Sequence, residues 1–267
     1  MLADVDCLAF LPMAMESAAL FDALLAFASG HLSLSDESYK VIALETRSTA
    51  MHSLARAIAV PTGQVADYET TAAACLGLMF YEIGVDDCKF WHTHLMGTQK
   101  IITSAVAYAG GKLVRGPEAL KHSTEGRWIL RNYAYHDIIG SVTLQTTPLL
   151  HGEYLDGITD GVDSCVGVAT GILSIISRIA FLDDSTIVKD LIVYEEVQVK
   201  MRYLQSRVVE MEDELLNWHC RAEAEPGLAS LAYAYRAAAL ILLYRLVRSR
   251  LRASISWNSA TDALEVI

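Results

Sequence analysis

The sequence predicts an all-α fold of about nine helices, packed as antiparallel helical pairs in one domain over residues 1–267. Three observations lead there. Apolar residues recur at three- and four-residue spacing along nearly the whole chain. No stretch shows the sustained two-residue alternation of a half-buried strand. The breaks between periodic stretches are short and rich in Gly, Pro and Asp, which favours antiparallel neighbours. No internal repeat of fixed period is present.

Each element follows from its own residues. Leu20, Leu24, Phe27 and Ala28 share one face of a first helix over 17–32. Ser35-Asp36-Glu37 reads as the cap of a second over 37–60, which Pro61-Thr62-Gly63 ends. A third, over 65–83, is apolar on most sides and belongs at the centre. After the break at Gly84-Val85-Asp86-Asp87, a fourth runs over 89–108. Gly110-Gly111 and Gly116-Pro117 bracket a loop. Pro117 then opens a long helix over 117–146, bent near Ser123-Thr124, and 147–161 is loop-like. Helices follow over 162–182, 189–221 and 227–252, and a short one begins the tail at 258–267.

Composition narrows the function. Hydrophobic residues make up 53% of the chain and the mean hydropathy is +0.30, leaving apolar surface for a pocket or a partner. The net charge is −11, so direct contact with nucleic acid by this chain is not expected. Asp4 and Asp6 stand where a secretory signal would carry basic residues. The apolar stretches 164–182 and 237–243 read as buried helices, not membrane spans. The five cysteines, Cys7, Cys75, Cys88, Cys165 and Cys220, form no Cys-x-x-Cys pair, so buried thiols in a reducing compartment are expected and a structural zinc site is not.

Catalytic and metal patterns are weak. His92 and His94 lie about 200° apart on a helix and do not share a metal. His94 reads as a core-edge histidine bonded to a backbone carbonyl, or less readily as a polar group in a ligand cavity. His136 and Asp137 point about 100° apart, so neither orients the other, and no Gly-x-Ser-x-Gly elbow accompanies them. Asp137 is expected to pair with a distant base or tether a neighbouring helix. Asp86-Asp87 and Asp183-Asp184 lack the further carboxylates of a magnesium–diphosphate site and read as caps and turns. Glu195, Glu196, Glu210, Glu212, Asp213 and Glu214 read as a solvated face. Arg245, Arg248, Arg250 and Arg252 read as the cationic end of a helix. Trp91, Trp128, Tyr133, Tyr135, Tyr203, Trp218, Tyr233, Tyr235 and Tyr244 are core or pocket aromatics.

Two segments carry a resemblance. Trp91-x-x-His94-Leu95-x-Gly97, followed by Ile101-Ile102, is similar to a signature of the fungal-specific transcription factor domain. Arg127-Trp128-Ile129-Leu130-Arg131-Asn132-Tyr133-Ala134-Tyr135-His136-Asp137 resembles that family's apolar helix ending in His-Asp. Residues 18–32 with Tyr39, 162–182 and 231–247 resemble further helices of the same domain, so the likeness covers most of the chain. Family members carry a six-cysteine zinc cluster upstream, which this sequence does not contain. The resemblance therefore implies an excised regulatory domain, or a shortened relative that no longer binds DNA, with an end that reads as cut short.

By likeness to the sterol-responsive members, the resemblance implies an apolar small-molecule pocket and a homodimer. Trp128, Tyr133, His136, Tyr203, Trp218 and Tyr244 are the residues expected to line that pocket. The expected function is a ligand-sensing regulatory domain, nuclear or cytoplasmic, working with the transcription machinery and without a cofactor, metal or catalytic residue. The alternative is a transcription-factor-like enzyme of secondary metabolism, acting on an apolar natural product, with His94, His136 and Asp137 as first suspects. A third reading is an interaction scaffold with no small ligand.

Overall fold

The computed structural model describes residues 10–60, 63–85, 89–158, 166–182, 194–220 and 224–264, with the backbone alone for 10, 194–198, 200–201 and 249–264. The described residues form α1 (Phe10–Glu16), α2 (Ala18–Ser33), α3 (Lys40–Ala59), α4 (Val65–Gly84), α5 (Trp91–Ser104), β1 (Val106–Ala109), β2 (Lys112–Arg115), α6 (Pro117–Leu120), α7 (Thr124–Leu144), α8 (Thr170–Leu182), α9 (Tyr194–Asn217) and α10 (Pro226–Leu264). The fold is all-α with one small hairpin. The chain divides into two compact units, Met1–Asp137 with Tyr154–Cys165, and Ile138–Glu153 with Val166–Ile267.

The first unit is built around α4. Every residue from Thr71 to Met79 is buried, as the apolar character of this stretch requires. Small residues let its neighbours approach. A Cβ on Gly30 would sit 2.5 Å from the Tyr81 ring, and one on Gly77 would sit 3.2 Å from Ala23 Cβ. So α2 lies against α4 through Ala19, Ala23, Ala26 and Gly30, with α3 and α5 packed beside them. Ser17 caps α2, its hydroxyl accepting the Leu20 amide at 3.4 Å.

The second unit joins α8, α9 and α10. α8 buries Ile172, Leu173, Ile175, Ile176 and Ile179, α9 buries Met211 and Leu215, and α10 buries Ala232, Ala239, Leu243 and Leu246. Arg178 on α8 reaches Glu214 on α9 at 2.6 Å. The Gly152 amide donates to Ser177 Oγ at 3.0 Å.

Several sequence expectations are corrected. The helix over 89–108 ends at Ser104, and Val106–Arg115 is an antiparallel hairpin. Its turn is Gly110-Gly111 with φ of 56° and 77°, which suits the two-residue turn of a twisted hairpin. The long helix over 117–146 is two helices, because the chain turns at 121–123 and Ser123 caps α7 by accepting the Gly126 amide at 2.9 Å. The tail is not a separate helix: α10 runs on to Leu264, since 249–258 holds neither Pro nor Gly. Arg245, Arg248, Arg250 and Arg252 therefore lie inside a helix and not at its end. The stretch 237–243 is also not buried all round, for Ile241 stands 58% exposed. Among the described residues one segment, Pro226–Arg248, is long and apolar enough to cross a membrane by length and composition, with 17% of that window buried.

Candidate functional site

α7 collects polar side chains that water does not reach. Trp128, Arg131, Asn132, Tyr133 and Asp137 are all buried on it, and His136 is half-buried. Helical spacing explains how one helix holds them. Positions three and four apart stack along a face, so Tyr133 lies one turn before Asp137, and Trp128 one turn before Asn132. The Asn132 amide turns back on its own helix and donates to the Trp128 carbonyl at 3.1 Å. His136 Nδ1 sits 2.9 Å from the Asn132 carbonyl, to which it donates a hydrogen bond. The His136 ring meets Phe80 of α4 at 5.3 Å and Tyr135 at 4.9 Å.

The focus of this set is a pair of phenols and a carboxylate. Tyr133 is fully buried, and Tyr154, from the 3-10 turn Gly152–Leu155, faces it with ring centroids 6.3 Å apart. Asp137 is 2% exposed beside them. Burial pushes both phenols above the ordinary tyrosine range, and the Asp137 charge pushes them further. Both are therefore neutral hydroxyls at any physiological pH, able to donate a hydrogen bond. The Tyr154 hydroxyl meets no hydrogen-bond partner among the described residues.

A second polar focus lies across α3, α4 and α5. Glu82, 1% exposed, takes Arg47 Nε at 3.1 Å and Nη2 on the same oxygen. Its other oxygen has no partner among the described residues. The Arg47 guanidinium stands 5.4 Å from the Tyr81 ring centroid. His94 is buried in the field of this pair. Burial lowers its pKa, Glu82 opposes that and Arg47 adds to it, so His94 is neutral at pH 7. His92 instead sets its ring edge-on to Trp91, 5.5 Å away.

A third contact ties α4 to the start of α7: Ser123 donates to Glu69 and accepts from Gly126. Burial pushes the Glu69 carboxyl up, the Ser123 bond opposes it, and Glu125 adds to it. Cys75 is buried against α5, where a Cβ on Gly97 would lie 3.7 Å from its sulfur. Burial pushes its thiol up to about 12, so it is an inert core thiol.

The six expected pocket residues fall in both units. Trp128, Tyr133 and His136 share α7, with Tyr133 facing the Tyr154 ring and His136 the Phe80 ring. In the second unit Tyr203 is 58% exposed, and Trp218 lies fifteen positions on, about 22 Å at helical rise. Trp218 is half-buried against Tyr233 with centroids 5.8 Å apart. Tyr244 is exposed and donates to Glu212 at 2.6 Å, which raises its pKa. Of the enzyme suspects, His136 and Asp137 are successive residues of α7 with separate surroundings, and His94 belongs to the Arg47–Glu82 focus. Asp86-Asp87, Asp183-Asp184, Cys7, Cys88, Cys165 and the side chains of Glu195, Glu196, Arg250 and Arg252 lie outside the described residues. Among the described residues no three of His, Cys, Asp or Glu are grouped to hold a metal.

Sequence reasoning did not single out Tyr154, Glu69, Glu82 or Arg47. Tyr154 sits in a stretch read as loop. For Glu69 and Glu82 the signal was a lone charge inside an apolar helical run.

Comparison with known proteins gives one match. A family model described as the fungal specific transcription factor domain matches residues 6–267. No curated protein and no solved structure matches the chain.

Proposed function

The chain belongs to the fungal specific transcription factor domain family, whose role is the regulation of transcription, and from that premise we propose that it regulates as a sensor of an apolar small molecule. The molecule lies against the buried face of α7, in contact with Trp128, Tyr133 and His136. Tyr133 and Tyr154 direct their hydroxyls at its one polar group, a hydroxyl or carbonyl. Binding shifts the domain between two states by its differential affinity for them, and the regulator acts in the nucleus with the transcription machinery.

The observation that supports this reading is the buried phenol of Tyr154, without a hydrogen-bond partner among the described residues, facing Tyr133 beside Asp137. A buried hydroxyl left unpaired costs about 1–3 kcal/mol, so its retention asks for a bond made in another state. Such a site is apolar with a few convergent polar groups, the usual make-up of a ligand pocket. Tyr203, Trp218 and Tyr244 are not used here, since two are exposed and the third is packed on Tyr233.

Native mass spectrometry of the purified chain, followed by denaturing extraction, tests the reading. We expect a co-purifying apolar molecule on the wild-type protein that is lost from Tyr133→Phe and Tyr154→Phe, both still folded by circular dichroism. A bound molecule retained equally by both variants, or a protein that arrives empty, overturns it.

A further inference from the structure

The hairpin Val106–Arg115 is a sheet of two strands, so each strand has one edge that the other does not cover. The Gly116 amide donates to the Ala105 carbonyl at 2.8 Å, which fixes the pairs that bond across the hairpin. Antiparallel pairs alternate between bonded and unbonded, so Ala107 with Val114 and Ala109 with Lys112 hold the ladder. The unbonded pairs are Val106 with Arg115 and Tyr108 with Leu113. On β2, Leu113 and Arg115 therefore turn their amides and carbonyls away from β1. Among the described residues nothing makes a hydrogen bond to those outward groups. Strand side chains alternate, so Leu113 and Arg115 share one face with Tyr108. That face is open: Tyr108 is 81% exposed, Leu113 is 44% exposed, and Arg115 is exposed at its end.

We infer that the open edge of β2 takes an extended acidic segment of another protein as a third strand. Charge selects that occupant. From Cys88 to Pro117 the chain has no Asp or Glu but holds Lys89, Lys100, Lys112 and Arg115, in a protein of net charge −11. Lys100, Lys112 and Arg115 are exposed and have no ion pair among the described residues. Glu118, the first acid past the hairpin, is held by Lys121 at 2.5 Å. A Cβ on Gly116 would lie 3.9 Å from the Thr103 carbonyl, so the end of β2 sits on the last turn of α5, and Lys100 is one turn back from Thr103. Cations on a strand edge keep like strands apart. A second copy laid on this edge sets Lys112 and Arg115 against their own counterparts, whereas a strand carrying carboxylates meets them with opposite charge. Main-chain bonds to Leu113 and Arg115 hold the added strand, and the Tyr108–Leu113 pair receives an apolar side chain between its acids.

The test adds a synthetic peptide, two repeats of Glu-Val-Val-Glu, to the full chain at low ionic strength and follows the backbone amides by NMR. Saturable binding that weakens with salt is expected, with the Leu113 and Arg115 amides newly protected from hydrogen exchange. The Lys112 and Val114 amides, already in the ladder, change little. Lys112→Glu with Arg115→Glu is expected to weaken this peptide about tenfold or more and to turn the preference to its Lys-Val-Val-Lys counterpart. Both side chains are exposed, so circular dichroism should not change. Leu113→Pro removes one outward amide, a change that an edge strand tolerates, and is expected to weaken binding with every charge kept. No binding of the acidic peptide, equal binding of the lysine peptide, or binding that leaves the Leu113 and Arg115 amides exchanging as before overturns the inference. So does protection of those amides in the protein alone as its concentration rises, since a second copy then covers the edge. None of these readouts involves Tyr133 or Tyr154, so this surface and the ligand reading above stand or fall separately.

Discussion

Replacing Arg47 by Met should damage the first unit far more than neutralising the glutamate it serves. The Glu82 carboxylate is 1% exposed and receives both Arg47 donors on one oxygen. Taking the arginine away strands a charge that water does not reach, a loss of about 3 kcal/mol, the low end for a broken buried pair. At about 2–4 °C per kcal/mol for a domain of this size, the melting temperature should fall by about 6–12 °C. Glu82→Gln leaves the cation instead. The Arg47 side chain is 28% exposed and turns to water, so that loss should be about 1 kcal/mol. Arg47→Met with Glu82→Leu removes both charges and should recover to within about 1 kcal/mol of wild type. The assay is urea unfolding followed by circular dichroism. A double variant no more stable than Arg47→Met, or equal losses from the two single variants, would refute the claim that an uncompensated buried charge sets the cost.

Three further outcomes follow from the same packing. Glu69 has a folded pKa raised by burial, so its contribution is full in acid and is lost as pH rises through that pKa; Glu69→Gln should gain stability at pH 7 and flatten this dependence, read by urea titration at several pH values. His94 has a lowered folded pKa, so stability present at neutral pH should fall as pH drops below about 6.5, and His94→Gln should remove that limb of the profile. Gly30→Ala forces a Cβ to 2.5 Å from the Tyr81 ring and should cost about 1–3 kcal/mol despite its better helix propensity, whereas Gly171→Ala, with open space around it, should be neutral or gain up to about 1 kcal/mol.

The helices were legible where periodicity and breakers agreed. Ser17, Pro61 and Gly84 each mark a true boundary within one or two residues, and the apolar run of α4 did place it at the centre. The hairpin was not seen because Val106–Ala109 and Lys112–Arg115 are four residues each, too short for alternation to register. Only Gly110-Gly111 between Tyr108 and Leu113 signalled it, and that pair also reads as a loop. α1 escaped because Phe10–Glu16 is seven residues with Pro12 in its first turn, a place proline tolerates. The polar interior was the least legible part. Period alone assigns charge to the surface, and the partners that keep Glu82 and Glu69 buried, Arg47 and Ser123, lie 35 and 54 residues away.

That interior separates two explanations of α7 that its sequence alone conflates. If Trp128, Tyr133 and His136 are core and nothing more, every truncation among them should cost fold and function together. The Tyr154 hydroxyl breaks this tie, because it is buried and bonded to nothing described. Removing it as Tyr154→Phe deletes no hydrogen bond among the described residues, keeps the ring against Tyr133, and relieves an unmet desolvation cost, so stability should hold or rise by about 1 kcal/mol. A group whose removal leaves the fold as stable or more so, yet lowers retention of a bound molecule, is kept for binding. The same substitution in a plain core would stabilise the protein and change nothing else. One variant, read by both unfolding and native mass, therefore decides whether this helix is the wall of a pocket or the middle of a core.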